Sequence, residues 1–312
     1  MTETEQIDKY ILDHIAPEGD YLYRLYRATN IHTVHGRMAS GHLQGRLLKM
    51  LVQMVQPRNV LEVGTFSGYS AICIAEGLPD DGKLYTFEIN DEMEDFTRPW
   101  IEGSAVADKI DFRIGDANVE APKLGITFDM VFVDGDKRTY LETYETVLKM
   151  LVQMVQPKNV LEVGTFSGYS AICIAEGLPD DGKLYTFEIN DEMEDFTRPW
   201  VEGSAVADKI DFRIGDANVE APKLGITFDM VFVDGDKRTY LETYETVLKM
   251  LRHGGYILAD NTLWDGHVTD AAYDHDHQTQ GIRKFNDFVA HDDRVENVIL
   301  PLRDGLTIVR KK

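Results

Sequence analysis

The chain has 312 residues, 43% apolar and 28% charged, with a formal net charge of −22. It holds no run of 18 apolar residues, which excludes a membrane-spanning helix, and its acidic start MTETEQIDKY lacks the basic and apolar regions of a secretory signal, so a cytoplasmic protein is expected. Such an acidic surface repels phosphate backbones and argues against a nucleic-acid partner.

The elements occur twice. Residues 49–148 and 149–248 align without a gap and differ only at Arg58/Lys158 and Ile101/Val201. A unit this long and this faithful reads as a very recent or engineered duplication, and removing one copy leaves a chain of single-domain size. Each copy carries 9 basic and 19 acidic residues, so the acidity belongs to the repeat. The expected divisions are 1–48, an N-terminal helical and lid segment; 49–148, a partial Rossmann-like unit; and 149–312, the second copy with a C-terminal segment that completes a sheet.

In chain order, Asn59–Val63 (NVLEV) predicts a strand ending at a glycine, Tyr69–Gly77 a helix and Lys83–Glu88 a strand. Asp91–Trp100 predicts a helix opened by acidic residues, Lys109–Ile114 and Phe128–Val133 strands, and Tyr140–Met150 a helix. Cys73 and Cys173 both fall in the apolar stretch AICIAEGL and read as buried free thiols. At the junction of the copies, the shared LKML predicts one helix over about Tyr140–Gln156, with Leu141, Tyr144, Leu148, Leu151 and Val155 on one face and Pro157 as its stop. After the second copy come a strand at Gly255–Ala259, a helix near Gln280–Ala290, and an antiparallel pair at Val295–Pro301 and Gly305–Arg310. This alternation predicts an α/β fold, a doubly wound parallel sheet with helices on both faces.

The loop Glu62-Val63-Gly64-Thr65-Phe66-Ser67-Gly68 leaves a strand and enters a helix, where glycines let a ligand approach the backbone. It is GxxxG, not the dinucleotide GxGxxG. It has no neighbouring Lys or Arg for a pyrophosphate, and Glu62 would repel one. A cationic, phosphate-free ligand fits better, and S-adenosylmethionine is such a ligand. Glu88, at the end of the second strand, is placed to accept both ribose hydroxyls, and Asp116 to accept from the adenine amino group. The plainer alternatives are a tight turn and a surface charge.

A second constellation joins Asp134 or Asp234, at the end of the fourth strand, to Asp260 and Asn261 at the end of the next. Three oxygen ligands and no sulfur suit Mg²⁺ or another hard divalent cation. Lys137 or Lys237 would take a hydroxyl proton where nearby charge or desolvation favours its neutral form. On spacing alone these residues read equally well as helix-capping carboxylates and a solvated lysine.

Taken together, LEVGTFSGYS, FEIN, FVDGDKRTY and LADNTLWDG closely resemble the cation-dependent O-methyltransferases, the class of catechol and caffeoyl-CoA O-methyltransferases. The resemblance covers nearly the whole chain once one repeat is subtracted. It implies a seven-stranded Rossmann-like sheet of order 3-2-1-4-5-7-6, S-adenosylmethionine as methyl donor, a divalent cation, and methyl transfer to a small hydroxylated acceptor, an aromatic diol. Carried over position by position, Glu62, Gly64, Ser70, Glu88 and Asp116 match the donor-binding positions, as do Glu162, Gly164, Ser170, Glu188 and Asp216. Met38 and Ser40 match the loop that closes over the donor. Asp134 or Asp234 with Asp260 and Asn261 matches the metal ligands, and Lys137 or Lys237 the catalytic base. Trp264 and the loop to Gln280 fall where the family shapes its acceptor pocket. That loop carries His267, His275 and His277, read as a polar lid in preference to a second metal site.

Short connections favour the second copy with the C-terminal segment as the complete sheet. The first copy then offers strands in the order 3-2-1-4 and an unpaired edge, which favours aggregation or dimerisation. Yet Met38 is attached to the first copy, and its counterpart in the second is Arg138. The competing reading is a duplicated scaffold that keeps donor loops but has little or no catalysis.

Overall fold

A computed structural model of the chain describes residues 3–34, 36–133, 144–301 and 304–312. The chain divides into two compact units. A large unit comprises Met1–Ala16 with Leu141–Lys312, and a small unit comprises Pro17–Tyr140. The N-terminal segment is therefore split between them. Helix α1 (Glu3–His14) belongs to the large unit, where His14 Nε2 lies 2.9 Å from Asp287 Oδ1 and Asn286 Nδ2 donates to the Tyr10 hydroxyl at 3.0 Å.

The small unit runs through α2 (Gly19–His32), α3 (Gly41–Val55), β1 (Asn59–Val63), α4 (Tyr69–Gly77), β2 (Lys83–Glu88), α5 (Glu94–Glu102), β3 (Ile110–Ile114), α6 (Ala117–Glu120) and β4 (Met130–Val133). Its parallel sheet has the order β3-β2-β1-β4. Leu22, Leu25, Leu48, Val52, Val60, Ile72 and Leu84 build its core between sheet and helices.

The large unit continues with α7 (Tyr144–Val155), β5 (Asn159–Val163), α8 (Tyr169–Gly177), β6 (Lys183–Glu188), α9 (Glu194–Glu202), β7 (Ile210–Ile214), α10 (Ala217–Glu220), β8 (Phe228–Val233), α11 (Tyr240–Met250), β9 (Leu251–Asp260), α12 (His277–Ala290), β10 (Val295–Leu300) and β11 (Leu306–Lys311). Its seven-stranded sheet has the order β7-β6-β5-β8-β9-β11-β10. Counted within the unit, this is 3-2-1-4-5-7-6, with β11 antiparallel to both neighbours. Strand β9 starts four residues before the expected Gly255. Its pairing steps from Phe228↔Leu251 to Met230↔Tyr256, a bulge that absorbs Gly254 and Gly255.

Identical sequence meets different surroundings in the two copies. Val131 on β4 is 53% exposed, whereas Val231 on β8 is fully buried, because β9 covers the edge of β8. Tyr69 on α4 is 1% exposed, whereas Tyr169 on α8 is 60% exposed. In the small unit α3 lies so close to α4 that a Cβ on Gly45 would sit 2.7 Å from Cys73 Sγ and 2.8 Å from the Tyr69 ring. The second copy has Glu145 at the aligned sequence position. The expectation of two buried thiols is therefore corrected: Cys73 is buried, but Cys173 is partly exposed.

Candidate active site

In the large unit the loop after β5 is strained where a ligand would approach. Gly164 has φ +96°, and a Cβ there would stand 2.4 Å from the Asp234 carbonyl oxygen, so only glycine lets the loops after β5 and β8 meet. Phe166 holds φ 44°, a conformation that costs a non-glycine residue about 1–3 kcal/mol and persists only where the surroundings enforce it. Glu188, at the end of β6, supplies that enforcement. Its carboxylate accepts from Phe166 N at 2.8 Å and from Asn190 N at 2.9 Å. Each oxygen keeps further lone-pair capacity for a ligand hydroxyl.

Beneath the loop, Glu162 is fully buried and accepts from Thr186 Oγ1, which in turn pairs with Thr165 Oγ1 at 2.6 Å. Burial pushes the Glu162 carboxyl up to about 7, against the hydroxyls of Ser170 and Thr186, which favour the charged form. Its Oε1 has no partner of hydrogen-bond geometry, although the Ser170 hydroxyl sits near enough to help hold a charge. The threonines were not singled out from sequence; the signal for them was the need of a buried glutamate for donors. Asp216 caps α10 by accepting from Asn218 N at 2.9 Å.

Asp234, at the end of β8, is held by its own N–H to Val163 O at 2.9 Å. Lys237 Nζ donates to Asp234 Oδ1 at 2.6 Å and to the Tyr240 hydroxyl at 2.8 Å. That hydroxyl donates to Asp260 O at 2.9 Å. Lys237 is only 6% exposed, so the solvated-lysine reading is overturned: α12 covers it, packed so closely that a Cβ on Gly281 would reach 2.2 Å from Lys237 O. The role of Tyr240 was missed because Tyr240 reads from sequence as an ordinary start to an amphipathic helix.

Asp260 Oδ1 accepts from Asn261 N at 2.7 Å. Asn261 takes φ 57°, which asparagine tolerates better than most residues, and its amide nitrogen lies 3.5 Å from Asp304 Oδ2, leaving the amide oxygen as the atom able to bind a cation. Trp264 and Asp265 also hold φ 49°. The following loop is tied by Arg283, which donates to the carbonyls of Val268, His267 and Asp270 at 3.0, 2.9 and 2.8 Å and pairs with Asp274 at 2.7 Å. His267 stacks on Tyr273 with ring centroids 3.5 Å apart.

A cleft of about 190 Å³ brings part of this set together, the glycine loop with Asp234 and Asp260, while Glu188, Asp216, Lys237, Asn261 and Trp264 are not among its lining residues. Gly164, Thr165, Phe166, Ser167, Tyr169, Ser170, Asp234 and Asp260 all line it. Among the described residues no three His, Cys, Asp or Glu side chains cluster to hold a metal by themselves. The oxygen set in question is two carboxylates with the Asn261 amide. Asp134 and Lys137 lie outside the described residues.

The small unit repeats the glycine loop. Gly64 has φ +96° and Phe66 φ 47°. Glu88 accepts from Phe66 N at 2.7 Å and Asn90 N at 2.9 Å, and buried Glu62 accepts from Thr86 Oγ1 at 2.6 Å. Ser70 is buried, and the Asp116 carbonyl accepts from Val119 N and Glu120 N. Met38 is exposed, and Ser40 precedes α3 without a side-chain capping bond.

A family model described as O-methyltransferase matches the chain twice, over residues 13–151 and 145–312. The chain belongs to this O-methyltransferase family. It is thus a methyltransferase enzyme that carries its family's unit in two overlapping stretches. It is 39% identical over 180 residues to a caffeoyl-CoA O-methyltransferase of Eucalyptus globulus, an alignment spanning 53% of this chain and 71% of that protein. A caffeoyl-CoA O-methyltransferase of Zea mays is 40% identical over 177 residues, spanning 53% of this chain and 68% of the relative. Among solved structures, an O-methyltransferase from Bacillus cereus in complex with SAH superposes with a TM-score of 0.52 and 30% identity, covering 57% of this chain and 84% of the other. Among the described residues, no helix is long and apolar enough to cross a membrane.

Proposed function

We propose that the large unit is the catalytic one, transferring a methyl group from S-adenosylmethionine to a hydroxyl of a small aromatic diol with help from a divalent cation. The observation that carries this reading is a cleft lined by both the strained glycine loop and the residues Asp234 and Asp260. The crevice lies at the carboxyl ends of adjacent strands whose connections diverge, where doubly wound sheets hold their ligands.

In this reading Glu188 takes the ribose hydroxyls, buried Glu162 balances the donor's positive charge, and Gly164 with Ser170 lets the methionine portion lie against the loop. Asp216 accepts from the adenine amino group. Asp234, Asp260 and the Asn261 amide oxygen suit a hard cation, which when bound would chelate the diol and favour its ionised form. Lys237 is the base. Its Nζ is positioned by Asp234 and Tyr240; a cation held at Asp234 would disfavour the ammonium, and the neutral amine then takes the hydroxyl proton as the oxygen attacks the methyl carbon and the carbon–sulfur bond breaks. The sulfonium leaves as a neutral thioether, so charge is conserved. Trp264 and the loop braced by Arg283 form the acceptor side.

The test is methyl transfer from labelled S-adenosylmethionine to a catechol, with and without a chelator. Asp234→Ala should abolish metal-dependent turnover and Asp134→Ala should spare it. Loss of turnover in Asp134→Ala alone would move the active site to the first copy, and no transfer to any diol by the wild type would leave the scaffold reading.

A further inference from the structure

We infer that the small unit is a second, catalytically silent binding site for S-adenosyl nucleosides. This rests on the donor reading proposed for the large unit. The groups assigned to the donor come from the ends of the first three strands of a copy, and the small unit holds all three. Its loop matches the other closely. Gly64 and Gly164 share φ +96°, Phe66 and Phe166 have φ 47° and 44°, and Gly68 and Gly168 have φ +84° and +82°. The carboxylates of Glu88 and Glu188 each clasp the same two backbone N–H groups at 2.7–2.9 Å. The Thr65–Thr86 and Thr165–Thr186 pairs are both 2.6 Å. Completion of the sheet beyond the fourth strand leaves this geometry unchanged.

The small unit's loop also stands on a firmer base. The Tyr69 hydroxyl donates to Glu18, and Arg46 bridges to Glu76 at 3.0 Å and to Cys73 Sγ at 3.6 Å, so α4 is pinned under the preceding helices. The segment GRMASGHLQG, with Met38 and Ser40, leads directly into α3 of this unit. The large unit's α8 has the exposed Tyr169 face in place of that cover. A loop already held in place loses less freedom on binding, so the small unit's site should be the tighter of the two.

Silence follows from what is not repeated. Asp260, Asn261, Trp264 and Arg283 occur once and belong to the large unit. Among the described residues the small sheet ends at β4, without a strand that would carry a second carboxylate and an amide.

The experiment is calorimetric titration of S-adenosylhomocysteine into the full chain, read beside the methylation assay. Two molecules should bind per chain with unequal affinity. Glu88→Gln and Glu188→Gln should each lower the stoichiometry from two to one, with the tighter event lost in Glu88→Gln. The carboxamide still accepts one of the two backbone N–H groups, and a far-ultraviolet spectrum and melting curve establish that each variant is folded. One molecule bound by an active wild type would overturn the second site and leave the proposed function standing. Two molecules still bound by folded Glu88→Gln would also overturn it. No binding and no methylation would remove both.

Discussion

The two cysteines give a direct test of how the copies differ. Cys73 is buried under α3, and burial raises its thiol to about 12, although the Arg46 guanidinium beside it pulls the other way. At pH 8 such a thiol is ionised roughly one time in ten thousand, against about a quarter for a free thiol in water. Cys173, with the same neighbours in sequence, lines the cleft beside Tyr169 and Ser170. Titration of the native protein with a chromogenic disulfide should therefore consume one thiol quickly and the second about a thousandfold more slowly, or only on unfolding. S-adenosylhomocysteine should protect the fast thiol. Peptide mapping is uninformative, because the tryptic peptides bearing the two thiols, from Asn59 and Asn159 onward, are identical. Cys173→Ser and Cys73→Ser assign the phases instead. Two equally fast thiols in the native protein, or a fast phase that survives Cys173→Ser, would refute the account of unequal cover.

The carboxyl of Glu162 is raised from 4.5 to about 7, so the folded large unit keeps a proton that the unfolded chain loses between those values. Its contribution to stability should be full below 4.5 and lost as pH rises through 7, on the order of 3 kcal/mol in all; denaturant midpoints of wild type and Glu162→Gln, compared from pH 4.5 to 8, check the slope, and a difference of opposite sign would refute it. Gly281→Ala drives a methyl group against backbone at Lys237 and Arg238 and should destabilise the large unit by about 1–3 kcal/mol while lowering kcat, measured by denaturation and initial rates; a variant with wild-type stability would show that the close contact is not real. Arg283→Met removes the four ties of the acceptor loop and should raise KM for the diol several-fold with donor affinity unchanged in calorimetry; equal loss of both would mean that Arg283 serves the fold alone.

Much of this was legible in the sequence because strand and loop signals are local. LEVGTFSGYS names a strand, a turn needing positive φ at Gly64 and Gly68, and a helix start, and both copies obey it. The seven-strand order followed from alternation and the family resemblance, and short connections pointed to β9 pairing with β8. What could not be read were contacts made by the third dimension. Tyr240 holds Lys237 because α11 starts beneath the end of β9. Gly281 looks like a weak helix residue until α12 is laid on Lys237. The different cover of Cys73 and Cys173 depends on which helix precedes the strand, and only the first copy is preceded by a helix that brings Gly45 against the thiol.

That last difference separates two kinds of specification in one molecule. The donor loop keeps its angles and hydrogen bonds whether its sheet has four strands or seven, so its shape is encoded within the βα unit itself. The acceptor side has no such autonomy. Asn261, Trp264 and Asp265 all take positive φ without being glycine, each at a cost of about 1–3 kcal/mol. Their strain is balanced by contacts made only where β9, β11 and α12 are present, such as Trp264 N to Asp304 O at 3.1 Å and Asn286 Nδ2 to Thr262 O at 2.8 Å. A duplication that copies four strands and stops therefore copies the self-sufficient half of the site and leaves the dependent half single. On the proposed roles, donor binding doubles in such a chain, whereas methyl transfer stays with the one sheet that is complete.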